Sequence, residues 1–388
     1  MRCRRARVGL VVAIAALVCF AAACSGRDRS DPTTFTTPPI SSTTTTAVPS
    51  TTTTTSPPPP RADLAGLSPG FGITALPQAD FDATFDAIAA THARWLRVDF
   101  DWSVIQRHGA SSYDWSRTDR IVAAARARHL SVDALASYTP AWARPSGTPD
   151  KNPPIDPDDF ARFVSAAAQR YAPTGVTTWE IWNEPNVSTF WYPRPNPQEY
   201  TALLVRASAA IKSVEPNATV ITGGLSPAAD SSNGSEISAL TFLDAIYAAG
   251  GGRAFDAVAL HPYSFPNLPD FAADYNTFLA TPALHQVMVD HGDALKKIWG
   301  TEVGAPTEGG GGAVSESVQA EIVTQAYQRW TEWSYTGPLI WFAYEDAGSS
   351  PFDRDDHFGL VDTDGRPKPA LAAFDQAVRT LLARQPAP

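Results

Sequence analysis

From about residue 61 onward the chain alternates short, β-rich apolar runs with longer stretches of helical period, and the runs number eight: 70–74, 95–100, 131–137, 177–183, 219–223, 257–261, 297–302 and 339–344. Helical stretches follow them at 81–91, 118–129, 158–171, 197–214, 238–249, 282–290, 317–335 and 369–382, with Asp156-Pro157 and Ser315-Glu316 placed as N-terminal caps. Repeated βα units bury a parallel sheet beneath crossover helices, and eight is the number that closes on itself. Spacings of roughly 20 to 45 residues leave room for one crossover helix each. The expected fold class is therefore α/β, a single (β/α)₈ TIM barrel over residues 63–388. A doubly wound open sheet would carry a glycine-rich phosphate turn after its first strand, and Phe71-Gly72-Ile73-Thr74 is not one. Neither a P-loop nor a G-x-S-x-G elbow occurs.

The N-terminus reads as an export signal over residues 1–23. Arg2, Arg4, Arg5 and Arg7 precede an apolar stretch over 8–20 and the small residues Ala21-Ala22-Ala23. Cys24-Ser25-Gly26 then resembles a bacterial lipoprotein box, which implies lipidation of Cys24. Plain secretion is the alternative, because Ala21 stands where such boxes usually carry Leu. Residues 24–62 are Thr, Ser and Pro with little apolar content, a disordered tether with or without O-glycosylation. The expected location is the outer face of the cytoplasmic membrane or the cell envelope, with membrane contact only through the lipid on Cys24.

Charge and cysteine usage narrow the partners. A net charge of −10 speaks against nucleic acid, which needs clustered Lys and Arg, and favours a neutral substrate. The three cysteines, Cys3, Cys19 and Cys24, all fall in or at the end of the signal, so the body is expected to fold without a disulfide. Eleven Trp and eleven Tyr exceed what burial alone usually needs, and such aromatics often line sugar clefts. No feature sets the oligomeric state.

Polar and aromatic residues gather at the C-terminal ends of the strand candidates, where a TIM barrel builds its site. They include Arg97-Val98-Asp99-Phe100-Asp101-Trp102, Trp182-Asn183-Glu184-Pro185-Asn186, His261-Pro262-Tyr263, Thr301-Glu302 and Trp341-Phe342-Ala343-Tyr344-Glu345. Here the chain resembles the clan A retaining (β/α)₈ glycoside hydrolases. In that clan a glutamate preceded by asparagine ends strand four as acid/base, and a glutamate ends strand seven as nucleophile. The string Trp182 to Asn186 matches the first and Ile298-Trp299-Gly300-Thr301-Glu302-Val303-Gly304 the second. The string from Arg97 to Trp102, with Tyr113-Asp114-Trp115 and Thr139-Pro140-Ala141-Trp142-Ala143, looks most like family 39 and its relatives, with family 5 next closest.

The resemblance implies O-glycosyl hydrolysis by double displacement, with Glu184 as acid/base and Glu302 as nucleophile, on a β-linked extracellular or envelope polysaccharide or oligosaccharide. Glu184 has to begin protonated and Glu302 ionised. Arg97 and Tyr263 are placed to hydrogen-bond Glu302, as their equivalents do in the clan. Arg97 closing a salt bridge with Asp99 or Asp101 is the bland alternative. Asn183 is assigned to the sugar 2-hydroxyl, and His261 to orienting the acid/base or a sugar hydroxyl. Trp341 is assigned to the apolar floor beside the cleaved bond. Tyr138 and Trp142, with Trp191 and Tyr192, extend the cleft on loops after strands three and four. Glu308 and Glu345 are the competing partners for Glu184. Glu180, on the same strand face as Glu184, would need an arginine or another hydrogen-bonding partner inside the barrel.

No cofactor and no metal are expected. There is no H-E-x-x-H, and Asp353 with Asp355-Asp356-His357 reads as a solvated loop. A catalytically silent barrel that binds glycan is the competing function, and the two carboxylates discriminate against it. The sugar, and internal against terminal cleavage, are left open by the sequence.

Overall fold

The computed structural model describes residues 63–70 and 72–383. The expected signal peptide over 1–23, Cys24 and the tether to 62 lie outside the described residues. Eight parallel strands close into a barrel in sequence order: β1 Ala65–Leu67, β2 Trp95–Asp101, β3 Ser131–Ser137, β4 Thr178–Asn183, β5 Thr219–Gly224, β6 Ala257–Leu260, β7 Lys297–Val303 and β8 Thr336–Trp341. The closing seam pairs Ala65 with Leu339, Gly66 with Ile340 and Leu67 with Trp341. A helix packs outside after each strand: Gln78–Ala90, Ser116–Ala127, Pro157–Tyr171, Pro197–Val214, Ala239–Ala248, Thr277–Asp290, Glu316–Trp330 and Pro369–Ala383.

Two strands differ from the sequence expectation. The first is Ala65–Leu67, whereas the 70–74 run contains the 3₁₀ turn Ile73–Ala75. A glycine inside Leu64-Ala65-Gly66-Leu67 weakens the strand signal. That glycine is needed, because a Cβ on Gly66 would stand 2.8 Å from Cβ of Trp95. The last strand is Thr336–Trp341 rather than 339–344, which places Trp341 at its end.

The caps follow local chemistry. Asp156 accepts from the Asp158 amide at 2.9 Å and Ser315 from the Val318 amide at 3.2 Å. The helix Thr277–Asp290 starts before Pro282, because Asn276 caps it by accepting from the Phe278 and Leu279 amides. Pro282 has no N–H for the Phe278 carbonyl, and the Thr281 hydroxyl donates to that oxygen at 2.8 Å instead.

The barrel interior is layered. Trp95, Ile221, Ala257 and Trp299 come from the early residues of their strands and form, with Ala259, an apolar cluster in which the two indoles meet edge-on at 4.8 Å. One register step towards the C-terminal ends the filling becomes ionic, with Arg97, Asp133, Glu180 and Thr301 all buried. Arg97 is in register with Asp133, and Leu135 with Glu180, so these side chains share the inner face. Outside the sheet, Trp102, Trp179, Trp182, Trp191, Trp330 and Trp341 are fully buried. Most of the tryptophan content therefore packs the core and does not line a cleft.

Candidate active site

The end of β4 is shaped by a backbone kink. Trp182 has φ 72° and Glu184 φ 45°, a left-handed conformation that non-glycine residues rarely adopt. The kink interrupts the alternation, so Trp182 packs against Trp191 and Phe160 and donates its indole N–H to the Phe190 carbonyl at 2.7 Å. Asn183 and Glu184 turn to the mouth. Asn186 then pins the turn, accepting from the Ser226 amide and donating to the Ser226 and Ile237 carbonyls at 2.8, 3.0 and 2.9 Å. This fixes the Glu184 backbone before any substrate arrives.

Arg97 is the hub of the ionic layer. Its Nη1 donates to Oε1 of Glu302 at 2.5 Å, its Nε to Oε2 of Glu180 at 2.6 Å, and its Nη2 to Glu180 Oε1 and Asn183 Oδ1 at 3.1 and 2.9 Å. Glu180 thus has the arginine partner its burial demands. It also accepts from the Gly224 amide at 2.8 Å and Thr301 Oγ1 at 3.2 Å. Arg97 is spent on Glu180 and Glu302, not on Asp99 or Asp101. The second oxygen of Glu302 accepts from the Tyr263 hydroxyl at 2.9 Å.

His261 stands between the two strand-end glutamates. Its Nδ1 lies 2.8 Å from Glu184 Oε1 and 3.5 Å from Glu302 Oε2. It fits because residue 224 is glycine, since a Cβ there would be 2.1 Å from His261 Nε2. One ligand-type atom each of Glu184, His261 and Glu302 lies within 4.8 Å of the others, and neither Glu308 nor Glu345 belongs to this cluster. Three such groups could in principle hold a cation. Arg97 and Tyr263 already take both oxygens of Glu302, however, so a metal would sit against a fixed guanidinium charge.

The electrostatics divide the groups. Burial works to raise Glu302, but the charges of His261 and Arg97 and the hydrogen bonds from Tyr263 and Arg97 outweigh it and hold the carboxyl below its ordinary value. Burial would lower His261, yet the Glu302 charge and the bond to Glu184 raise it. Burial and the Glu302 charge push the Tyr263 phenol well up, so it stays a donor. Asp99, which the sequence reading left without a site role, faces the mouth. Its side chain is exposed at the mouth, and desolvation by the surrounding protein, with the charges of Asp101, Glu302 and Glu180, pushes its carboxyl upward against the pull of Arg97.

The aromatic assignments change most. Trp341 is fully buried, in register with Leu67 and Val303, and has no face to offer a sugar. Alternation puts it on the side of Leu339, which packs towards Trp330 of the outer helix. Phe342, the next residue, is half-buried, and its ring lies 5.7 Å from that of Phe358. With Tyr263 and Phe265 these rings form an aromatic wall after β6 and β8. Trp191 is core, wedged between Trp182 and Tyr200, whereas Tyr192 is 42% exposed. Trp142 is half-buried and donates to the Gln106 carbonyl at 2.7 Å. Tyr138 is half-buried under the Lys151 ammonium, which lies 3.4 Å from its ring centre. The segment read as a solvated loop, Asp353 to His357, is instead partly packed, with His357 buried and its Nε2 2.7 Å from the Ser350 carbonyl.

Known proteins resemble this chain. A family model described as Cellulase (glycosyl hydrolase family 5) matches residues 63–336. Over 65 residues the chain is 42% identical to a β-xylosidase of Geobacillus stearothermophilus, a match covering 16% of this chain and 13% of that protein. A family 39 glycoside hydrolase from the gut symbiont Bacteroides cellulosilyticus WH2 superposes with a TM-score of 0.67 at 22% identity, covering 83% of this chain and 64% of that one. GH5_18 from Streptomyces cattleya, solved in complex with GlcNAc, superposes with a TM-score of 0.63 at 19% identity, covering 86% and 83%. The chain thus spans a small part of the curated relative and under two thirds of the Bacteroides structure. At these identities the solved structures establish the shared barrel. The sequence resemblance put family 39 first and family 5 next, whereas the matching family model is that of family 5.

Proposed function

The chain belongs to the cellulase family, glycosyl hydrolase family 5, and we propose that it cleaves O-glycosidic bonds of a β-linked polysaccharide or oligosaccharide with retention of configuration. The observation that carries this reading is the approach of Glu184 and Glu302 oxygens to within 4.8 Å. Retaining pairs stand about 5 to 5.5 Å apart, and inverting pairs about 6.5 to 9.5 Å to admit a water.

In the first step Glu184, in its acid form, gives its proton to the glycosidic oxygen while Glu302 attacks the anomeric carbon. The bond to the leaving group breaks and a glycosyl ester to Glu302 forms. Glu184, now a carboxylate, takes a proton from water, and the resulting hydroxide equivalent displaces Glu302. Arg97 and Tyr263 suit Glu302 to this part, because both stabilise its charged form before attack and after release. Asn183, held by Arg97 Nη2, presents its amide to the sugar 2-hydroxyl. His261 orients Glu184 through its 2.8 Å contact. Phe342 takes over the floor role expected of Trp341, with Tyr138 and Trp142 on the opposite rim. The likeness of residues 97–102 and 139–143 to family 39 belongs to this proposal, as does export with a lipid on Cys24. Mass analysis of the mature N-terminus should find acylated Cys24, and an unmodified cleaved terminus would remove the anchor.

Chemical rescue tests the nucleophile. Glu302→Ala with azide and an activated aryl β-glycoside should form the glycosyl azide of inverted configuration. Undiminished hydrolysis by the variant without azide would sink the assignment.

A further inference from the structure

Beneath the two glutamates lies a carboxyl that the mechanism above does not use. Asp133, in β3, is completely buried inside the barrel and in register with Arg97 on one side and Thr178 on the other. Neither of its oxygens has a protein donor. On the inner face it is the diagonal neighbour of Glu180, another carboxyl, because Thr178 and Glu180 pair with Asp133 and Leu135 across β3 and β4. An ionised Asp133 would put three carboxylates, Asp133, Glu180 and Glu302, on the single guanidinium of Arg97, and would leave two anionic oxygens without protein donors in the buried interior. Such a charge costs several kcal/mol. A proton on Asp133 removes the surplus charge and turns an acceptor facing an acceptor into a donor facing an acceptor.

We propose that Asp133 is a positioning residue of this same site, a carboxylic acid that stays protonated and donates to Glu180, thereby fixing the carboxylate that aims Arg97 at Glu302. The line of residues is short: Asp133 lies beside Glu180 on the inner face, Glu180 binds Arg97 through Nε and Nη2, and Arg97 reaches Glu302 and Asn183 through Nη1 and Nη2. Glu180 also receives the Gly224 amide and the Thr301 hydroxyl, so Asp133 supplies the remaining donor that holds it from the β3 side. The electrostatics agree, since burial and the Glu180 charge push Asp133 well above the carboxylate range against the pull of Arg97. Asp133 touches neither substrate nor the reacting atoms. Its influence would pass through the orientation of Glu180 and the guanidinium.

The inference rests on the hydrolase reading for its kinetic consequence, but not for its chemical one. Infrared difference spectra of wild type against Asp133→Asn at neutral pH should show one protonated-carboxyl C=O band lost in the variant, whatever the activity. On an aryl glycoside, Asp133→Asn keeps a donor of the same shape and should hold kcat within about threefold. Asp133→Leu removes the donor and should lower kcat roughly tenfold to a hundredfold with little change in KM, the scale seen when a group that orients a reactive residue is lost. If the Leu variant does not fold, the Asn variant and the band decide the matter. A wild-type spectrum without that band, equal losses in the Asn and Leu variants, or a folded Leu variant with full kcat would each overturn the proposal. Absence of any glycosidase activity in wild type, with the band present, would overturn the hydrolase reading and leave the protonated Asp133 standing.

Discussion

The two ends of the barrel interior are built on the same eight strands and differ in almost everything else. At one end Trp95, Ile221, Ala257, Ala259 and Trp299 meet in an apolar plug. At the other, Arg97, Glu180, Asn183, Glu184, His261, Tyr263 and Glu302 meet through hydrogen bonds and charge. Between them only one or two register steps intervene. The plug lowers the free energy of the closed sheet without specifying chemistry. The mouth concentrates buried charge that is tolerable only while every partner is in place. Arg97 belongs to both descriptions, since it neutralises the interior and holds the Glu302 carboxylate.

That contrast can be broken from either side. Replacing Glu302 with Ala should cut kcat by a factor on the order of 10⁴ to 10⁶, the scale for loss of a nucleophile, while calorimetry finds the fold intact. Replacing Trp299 with Ala should do the reverse, costing about 3–5 kcal/mol of stability through the cavity it leaves while kcat of the folded fraction holds. Arg97→Ala should move both readouts, because it strands Glu180: about 3–5 kcal/mol of stability, with kcat lower by a factor on the order of 10². If Arg97→Ala leaves stability untouched, the ionic layer is not the structural element described here. Tyr263→Phe removes one donor to Glu302 and should lower kcat by about tenfold, the equivalent of one hydrogen bond to a charged group, with a small fall in melting temperature.

The smallest expected effect is a pH dependence. Glu302 is held below the ordinary carboxylate value, so its contribution to stability is present above that value and is lost as pH falls through its folded pKa. Glu302→Gln should therefore lower the melting temperature in the neutral range and flatten the acid side of the profile, so that variant and wild type converge at low pH. An unchanged acid limb would mean that the partners of Glu302 do not stabilise its charge.

Much of the fold was legible because the signals are local. Apolar β-rich runs with capped helices between them mark seven of the eight strands within a few residues. The missed first strand is Ala65-Gly66-Leu67, where a glycine demanded by the neighbouring Trp95 hides the pattern. Glu184 and Glu302 were legible from their motifs. The need of Glu180 for a partner followed from strand alternation, although the identity of Arg97 as that partner required the barrel to close. The burial of Trp341 was missed because it depends on which face of β8 the residue occupies, and a strand end placed three residues late conceals that. Asp133 could not be singled out from Ser-Val-Asp-Ala-Leu, since nothing local says that an acid there points into the barrel rather than to solvent. Asp99 was masked in the same way by its two neighbours, Arg97 and Asp101.

As a retaining pair in the mouth of the barrel, Glu184 and Glu302 would release a sugar with the anomeric configuration of the substrate. Proton NMR of the first sugar released from an aryl glycoside, recorded before mutarotation, tests this most directly. The expected first-formed anomer has the configuration of the substrate, and an inverted first-formed anomer would contradict a retaining pair.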